Sequence, residues 1–297
     1  MSKKLIIAEK PSVANDIART LGGFARHGDY FESDELVLSS AVGHLLELAV
    51  PEAYEVKKGK WSFANLPIVP PHFDLAPIEK SEPRLNLLLK LIKRKDVSGL
   101  VNACDAGREG ELIFRYIVQH ARTKKPIQRL WLQSMTQGAI REGFERLRDD
   151  RELLPLADAA KSRSEADWLI GINGTRAMTA FNSKEGGFYL TTVGRVQTPT
   201  LAVLVEREEK IRGFRSRDYW EVHAGFAARA GEYAGRWFDT GFRKDDDAER
   251  KAERLWDAAK AEAIRAACEG KTGTVTEETK PSSQLSPLLF DLTSLQR

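Results

Sequence analysis

Apolar and polar positions alternate along the chain in two rhythms, short unbroken apolar runs and longer stretches with one apolar stripe. Leu5 to Ala8 is an apolar run of the first kind, and Val13, Ile17 and Leu21 then recur at intervals of four before Gly22-Gly23. An unbroken run reads as a buried strand and a stripe as an amphipathic helix, so the chain opens with a strand-to-helix unit. Leu36 to Val42 predicts a second strand, Leu85 to Ile92 a helix and Gly99 to Ala103 a third strand. Between Lys57 and Arg84 stand Pro67, Pro70, Pro71, Pro77 and Pro83, too many prolines for a regular helix, and this stretch predicts a long surface excursion. Further on, Leu112 to His120 predicts a helix, Leu130-Trp131-Leu132 a strand, and Thr136 an N-cap opening another helix. Strands alternating with helices in this way predict an α/β domain with a mostly parallel sheet.

The pattern changes after about residue 152. Ala160, Ser164, Asp167, Trp168 and Gly171 lie at helical spacing, with Lys161, Arg163 and Arg176 expected on an exposed basic face. Thr198 and Pro199 suit the N-cap and first position of a helix whose Leu201, Leu204, Val205 and Ile211 share one face. From Tyr219 the residues alternate, and Gly231 to Gly235 precedes Arg236-Trp237-Phe238, the pattern of a hairpin. Lys244 to Cys268 predicts one charge-rich helix ending at Gly270, and Thr272 to Thr279 a strand. Three parts are expected: residues 1–152 as the α/β domain, 153–215 as a mainly helical domain, and 216–297 as part of a β-rich domain.

Composition narrows the function classes only slightly. With 297 residues, 42% of them hydrophobic, the chain can bury a substantial core. A net charge of +3 does not by itself announce a nucleic-acid partner, which would need a local basic face. Two cysteines, Cys104 and Cys268, exclude a cysteine-based zinc module and a disulfide framework and fit a reducing cytoplasm. The apolar stretch before Glu9 is too short for a signal peptide, and no run approaches a membrane span, so a cytoplasmic protein without membrane attachment is expected.

The chemistry concentrates in Asp105-Ala-Gly-Arg108-Glu109-Gly-Glu111, directly after a predicted strand. Neighbouring carboxylates raise one another's pKa unless a cation offsets them, and hard divalent cations select oxygen ligands. A divalent cation site is one reading; the other is that these carboxylates merely open a helix at its positive end. Glu9 and Lys10 also follow a strand, where an open parallel sheet gathers its ligand residues; an isolated Glu-Lys pair reads more readily as a solvated turn, but the acidic cluster at Asp105 favours the functional reading. His44, in Gly43-His44-Leu45, reads as a structural histidine. Arg195 and Gln197 lie just ahead of a predicted helix N-terminus, a place that favours phosphate. Gly270-Lys271-Thr272 is no phosphate loop, because the position five residues before Gly270 is Arg265.

Asp-x-x-Arg-Glu-Gly-Glu after an apolar strand, with Ile7-Ala8-Glu9-Lys10-Pro11-Ser12 at an earlier strand end, resembles the Toprim domain of type IA DNA topoisomerases, topoisomerase III branch. Gly194-Arg195-Val196-Gln197 resembles a segment that contacts single-stranded DNA in the same family. The resemblance runs in family order over the whole chain: a Rossmann-like Toprim domain, a helical domain and the start of a β-rich arch. It implies magnesium-dependent breakage, strand passage and rejoining of DNA without ATP, through a 5′-phosphotyrosine link. Carried over residue by residue, Glu9 is general acid and metal ligand, and Lys10 steadies the scissile phosphate. Asp105 and Glu109 hold Mg²⁺, Glu111 joins the metal set, and Arg108 supports catalysis. Arg195, Gln197, Arg176 and Arg163 meet single-stranded DNA, and nothing identifies a protein partner. The family's second aspartate is replaced by Gly107, which implies a single, weaker Mg²⁺ site that keeps several waters. The nucleophilic tyrosine is expected beyond Arg297, and the 297-residue chain alone is expected not to cleave DNA. A non-catalytic single-strand-binding Toprim protein, or a primase or OLD-type nuclease, are the alternatives.

Overall fold

Strand β1 (Lys3–Ala8) runs through the middle of the first part of the chain, and Leu5, Ile6, Ile7 and Ala8 are all fully buried. In the computed structural model, which describes residues 2–54, 61–245, 247 and 249–290, the chain continues through α1 (Pro11–Leu21), β2 (Ala25–His27), β3 (Tyr30–Glu32), β4 (Leu36–Ser40), β5 (Leu46–Leu48) and β6 (Leu75–Pro77). It then forms α2 (Glu82–Lys93), β7 (Val97–Ala103), α3 (Arg108–Ala121), β8 (Ile127–Arg129), α4 (Gln137–Glu145) and β9 (Arg148–Asp149). The sheet has seven strands in the order β2-β3-β4-β1-β7-β8-β9. Its four central strands are parallel, and antiparallel partners close both edges.

Two-residue periodicity divides the burial between the two faces. Leu5 and Ile7 join Leu85, Leu88, Phe114 and Ile117 of α2 and α3 in one core. Ile6 and Ala8 join Ala14, Ile17 and Ile140 of α1 and α4 in the other. The sheet is thus sandwiched between helix layers, and the adjacent strands β1 and β7, in register at Ala8 and Ala103, end side by side. That is the doubly wound arrangement in which ligand residues lie beyond the carboxyl ends of the strands.

The helical part follows as α5 (Leu154–Asn182) and α6 (Gln197–Arg212). Residues 1–209 form one compact unit and 210–297 a second. Ala160 of α5 belongs to the sheet core, and Tyr116 Oη donates to Ser164 Oγ at 3.0 Å. In the second unit β10 (His223–Ala228) and β11 (Gly231–Arg236) form the expected hairpin, followed by α7 (Ala258–Cys268). No helix among the described residues is long and apolar enough to cross a membrane.

Several expectations need correction. The strand expected at Leu130 to Leu132 lies earlier, at Ile127–Arg129; Leu130 still donates to Asn102 O at 2.9 Å, but the chain then leaves the sheet. The helix expected over Lys244 to Cys268 is confined to Ala258–Cys268. Upstream of it, aspartate side chains compete for the backbone: Asp245 accepts from Asp247 N at 3.1 Å and Asp247 from Glu249 N at 3.0 Å. The strand expected at Thr272 to Thr279 is exposed and irregular, with no neighbouring strand among the described residues to pair with. Helix α6 starts at Gln197, so Thr198 lies in its first turn rather than capping it, with Thr198 Oγ1 accepting from Gly194 N at 3.0 Å. The short hairpin β2–β3, which turns at Gly28-Asp29, is not among the elements expected from the sequence. Residues 55–60, in the surface excursion, and 291–297, where the arch resemblance ends, lie outside the described residues.

Candidate active site at the carboxyl edge of the sheet

Three strand ends converge here. Beyond β1, Glu9 and Lys10 precede α1, with Lys10 at its N-cap and Pro11 in its first turn. Beyond β7, Cys104 and Asp105 precede α3, whose first turn carries Arg108 and Glu109. Beyond β4 the chain turns sharply: Val42 N donates to Glu9 O at 3.0 Å while Val42 holds a φ of 122°. A β-branched residue at positive φ costs about 1–3 kcal/mol and persists only where its surroundings impose it. The turn leads to His44, whose Nε2 lies 3.3 Å from Glu109 Oε2. His44 reads from sequence as a structural histidine, although Gly43-His44-Leu45 resembles a Gly-His-Leu that follows a strand near the same site in the type IA family; the structure sets it beside Glu109.

The polar contacts tie the loops together. Asp105 N donates to Glu9 Oε2 at 3.2 Å, and Lys10 Nζ stands 2.7 Å from Asp105 Oδ2 and 3.8 Å from Glu9 Oε1. The Asp105 carboxylate, by hydrogen bond and charge, raises the pKa of the Lys10 ammonium and keeps it cationic. Glu9 is mostly shielded, with a side chain 12% exposed, whereas Lys10 and Asp105 are about half exposed at 54% and 49%. Arg108 and Glu109 are exposed, and Arg108 has no ion-pair partner among the described residues.

Glu111 is elsewhere. It is 0% exposed, its Oε1 accepts from Arg115 Nε at 2.7 Å and its Oε2 from Asn102 Nδ2 at 3.0 Å, with Arg129 Nε 3.4 Å from Oε2. Arg115 passes the pairing on to Asp150 at 2.6 Å. Both oxygens of Glu111 therefore serve the core, and it does not share the face on which Glu9 and Asp105 meet.

For a divalent cation the donors are hard carboxylate oxygens, the right chemistry. Among the described residues no three His, Cys, Asp or Glu side chains gather closely enough to hold an ion by themselves. The set would suit an ion that keeps most of its water, with Glu9, Asp105 and Glu109 as the carboxylates that would hold it. Cys104 plays no part: it is buried, donates weakly to Ile7 O at 3.7 Å, and burial pushes its thiol pKa far up.

The expected DNA-contacting residues lie along α5 and its return segment. Arg195 Nη1 is 2.8 Å from Asp167 Oδ1, and Arg163 Nε is 3.7 Å from Asp167 Oδ2. Val193 fixes the segment on the helix: its N donates to Thr175 Oγ1 at 3.0 Å, and a Cβ on Gly174 would come within 2.8 Å of its Cγ1. Gln197 is exposed at the start of α6. Arg176 corrects the expected exposed face: it is buried, pairs with Glu52 at 2.8 Å and lies 5.2 Å from the Trp61 ring centroid.

A Rossmann-like sheet with acidic loops at its carboxyl edge, followed by a long helix, defines a Toprim-type domain joined to a helical one. Comparison with known proteins agrees. Residues 4–135 match the Toprim domain family and residues 153–297 the DNA topoisomerase family. DNA topoisomerase 3 of Bacillus subtilis is 39% identical over 299 residues, covering 100% of this chain and 39% of the relative. DNA topoisomerase 3 of Shouchella clausii is 38% identical over 300 residues, again covering 100% of this chain and 39% of the relative. The solved full-length topoisomerase I from Thermotoga maritima shares the fold, with a TM-score of 0.55 and 20% identity over 88% of this chain and 37% of that one. The chain thus joins a Toprim domain to part of a DNA topoisomerase domain, as its DNA topoisomerase 3 relatives resemble it along its whole length, and it spans about 39% of the length of those relatives.

Proposed function

We propose that this chain supplies the cation site and part of the single-stranded DNA track of a type IA topoisomerase that breaks, passes and rejoins DNA without ATP, acting in the cytoplasm. The observation that carries this reading is the meeting of Glu9, Lys10 and Asp105 across two adjacent parallel strand ends. In the reaction a tyrosine oxygen, losing its phenol proton to water, attacks the scissile phosphorus and the 3′ oxygen leaves; rejoining is the reverse displacement. Glu9 gives the leaving 3′ oxygen its proton and takes it back on rejoining. Lys10, kept charged by Asp105 and placed at the N-terminus of α1, holds the scissile phosphate. Asp105 and Glu109, with Glu9, would hold Mg²⁺, which when bound supplies charge neutralisation at the phosphate. Arg108, in the first turn of α3 and with no ion-pair partner among the described residues, would meet a second phosphate oxygen.

The test of the cation reading is a calorimetric Mg²⁺ titration of the 297-residue chain. Asp105→Asn is expected to raise the Kd at least about tenfold, since one of two converging carboxylates is lost. An unchanged Kd refutes the reading. A tight DNA complex without any Mg²⁺ dependence would favour the non-catalytic binding module instead.

Arg195, Gln197 and Arg163 are proposed to follow the backbone of single-stranded DNA, with Arg195 exchanging its Asp167 partner for a phosphate. Arg195→Ala is expected to weaken binding and to reduce the slope of log K against log salt by about 0.7, the contribution of one phosphate on a single strand. A wild-type slope in a salt titration with an oligothymidylate excludes Arg195 from the backbone contacts.

A further inference from the structure

Arg129 closes β8 with a side chain 1% exposed, and no motif draws attention to it. Its Nη1 donates to the carbonyl oxygens of Asn102 at 2.9 Å, Cys104 at 2.7 Å and Leu130 at 3.0 Å, and its Nη2 to that of Asp105 at 2.8 Å. One guanidinium thus gathers the carbonyl of Asn102 near the end of β7 and those of Cys104 and Asp105 in the turn that follows. Those of Cys104 and Asp105 lie past the strand end, without a ladder partner such as Asn102 O has in Leu130 N, and a buried carbonyl left unsatisfied would cost about 1–3 kcal/mol. Asn102 completes the clamp, its Oδ1 accepting from Cys104 N at 3.1 Å. Glu111 supplies the counter-charge, and Arg129 Nε, 3.4 Å from Glu111 Oε2, makes no hydrogen bond of its own. The clamp ends at Asp105, whose N–H is given to Glu9 and whose carbonyl is held by Arg129.

We propose that Arg129 is a positioning residue for the cation site: by fixing the Asp105 peptide from beneath, it sets the separation of the Asp105 and Glu9 carboxylates. The inference rests on the proposed cation site formed by those two residues. A planar fork can hold several carbonyls at once, whereas an ammonium on a flexible stem is a single point donor. Arg129→Lys therefore keeps the buried positive charge opposite Glu111 but releases the turn.

The experiment is a Mn²⁺ titration of the 297-residue chain followed by electron paramagnetic resonance, together with amide hydrogen exchange. Arg129→Lys is expected to weaken Mn²⁺ binding at least tenfold and to speed exchange at the Cys104 and Asp105 amides, with exchange in α5 unchanged. A role confined to general stability would instead raise exchange throughout the first unit and leave the affinity of the folded fraction intact. Should Arg129→Lys fail to fold, Arg129→Met with Glu111→Leu removes both buried charges together, a replacement that a core can accept; the same tenfold loss is expected. Wild-type affinity in the folded variant, or unaltered exchange at Asp105, overturns the positioning role. Equal binding by wild type and Asp105→Asn overturns the cation reading, and the exchange data then still report whether Arg129 anchors the turn.

Discussion

Glu111→Gln is expected to lower the stability of the chain by about 3–5 kcal/mol, the cost of breaking a buried ion pair from one side. The carboxylate is fully buried and faces two guanidinium groups, Arg115 at 2.7 Å and Arg129 at 3.4 Å. The two would not suffer alike. Arg115 keeps Asp150 at 2.6 Å as a second carboxylate, but Arg129, 1% exposed, has no other carboxylate partner among the described residues. Its charge would remain buried without a counter-charge, and burial already pushes its pKa down. Glu109→Gln, two residues away and exposed, should change stability by no more than about 0.5 kcal/mol. Urea unfolding of both variants checks the pair. Loss of Mg²⁺ binding in Glu111→Gln without loss of stability would return Glu111 to the metal set and contradict the buried network.

That contrast also marks what the sequence could disclose. Asp105, Glu9 and Lys10 were legible because apolar runs end just before them, and a strand end in a parallel sheet is where ligand residues gather. The separation of Glu109 from Glu111 was written in the same stretch. Residues two apart on a helix point to nearly opposite sides, whereas Glu111 and Arg115, four apart, share a side. The resemblance grouped all the acidic residues, and helix geometry divides them. Arg129 was not legible, because a lone arginine at the end of a short strand reads as a surface cation until the carbonyls it must satisfy are in place. Arg176 was misjudged for a related reason. Its aromatic and acidic partners, Trp61 and Glu52, come from the proline-rich stretch and the loop before it, more than 100 positions away in sequence. In the second unit, propensity overstated the helix before Ala258, since the aspartates that could sit on a solvated helix instead bond to their own backbone.

Gly110→Ala is the substitution expected to disturb the site most while adding a single methyl group. A Cβ at position 110 would lie 2.2 Å from the carbonyl oxygen of Asp105 and 2.7 Å from its nitrogen. Neither atom can yield easily: the nitrogen is bonded to Glu9 Oε2 at 3.2 Å and the oxygen to Arg129 Nη2 at 2.8 Å. Either the first turn of α3 or the Asp105 peptide must move, and each movement separates Asp105 from Glu9. Overpacking of this kind costs about 1–3 kcal/mol. Mg²⁺ affinity should fall at least about tenfold, the loss also expected for Asp105→Asn. Gly107→Ala is the control on the same loop. Position 107 has no atom within 4 Å of an added Cβ, and its backbone, with φ of 176°, is extended and open to any residue. It should keep both stability and affinity close to wild type. Magnesium titration and thermal unfolding of the two alanine variants therefore decide between a glycine needed for close approach and a loop that merely tolerates small residues; equal behaviour of the two would refute the close contact between α3 and Asp105.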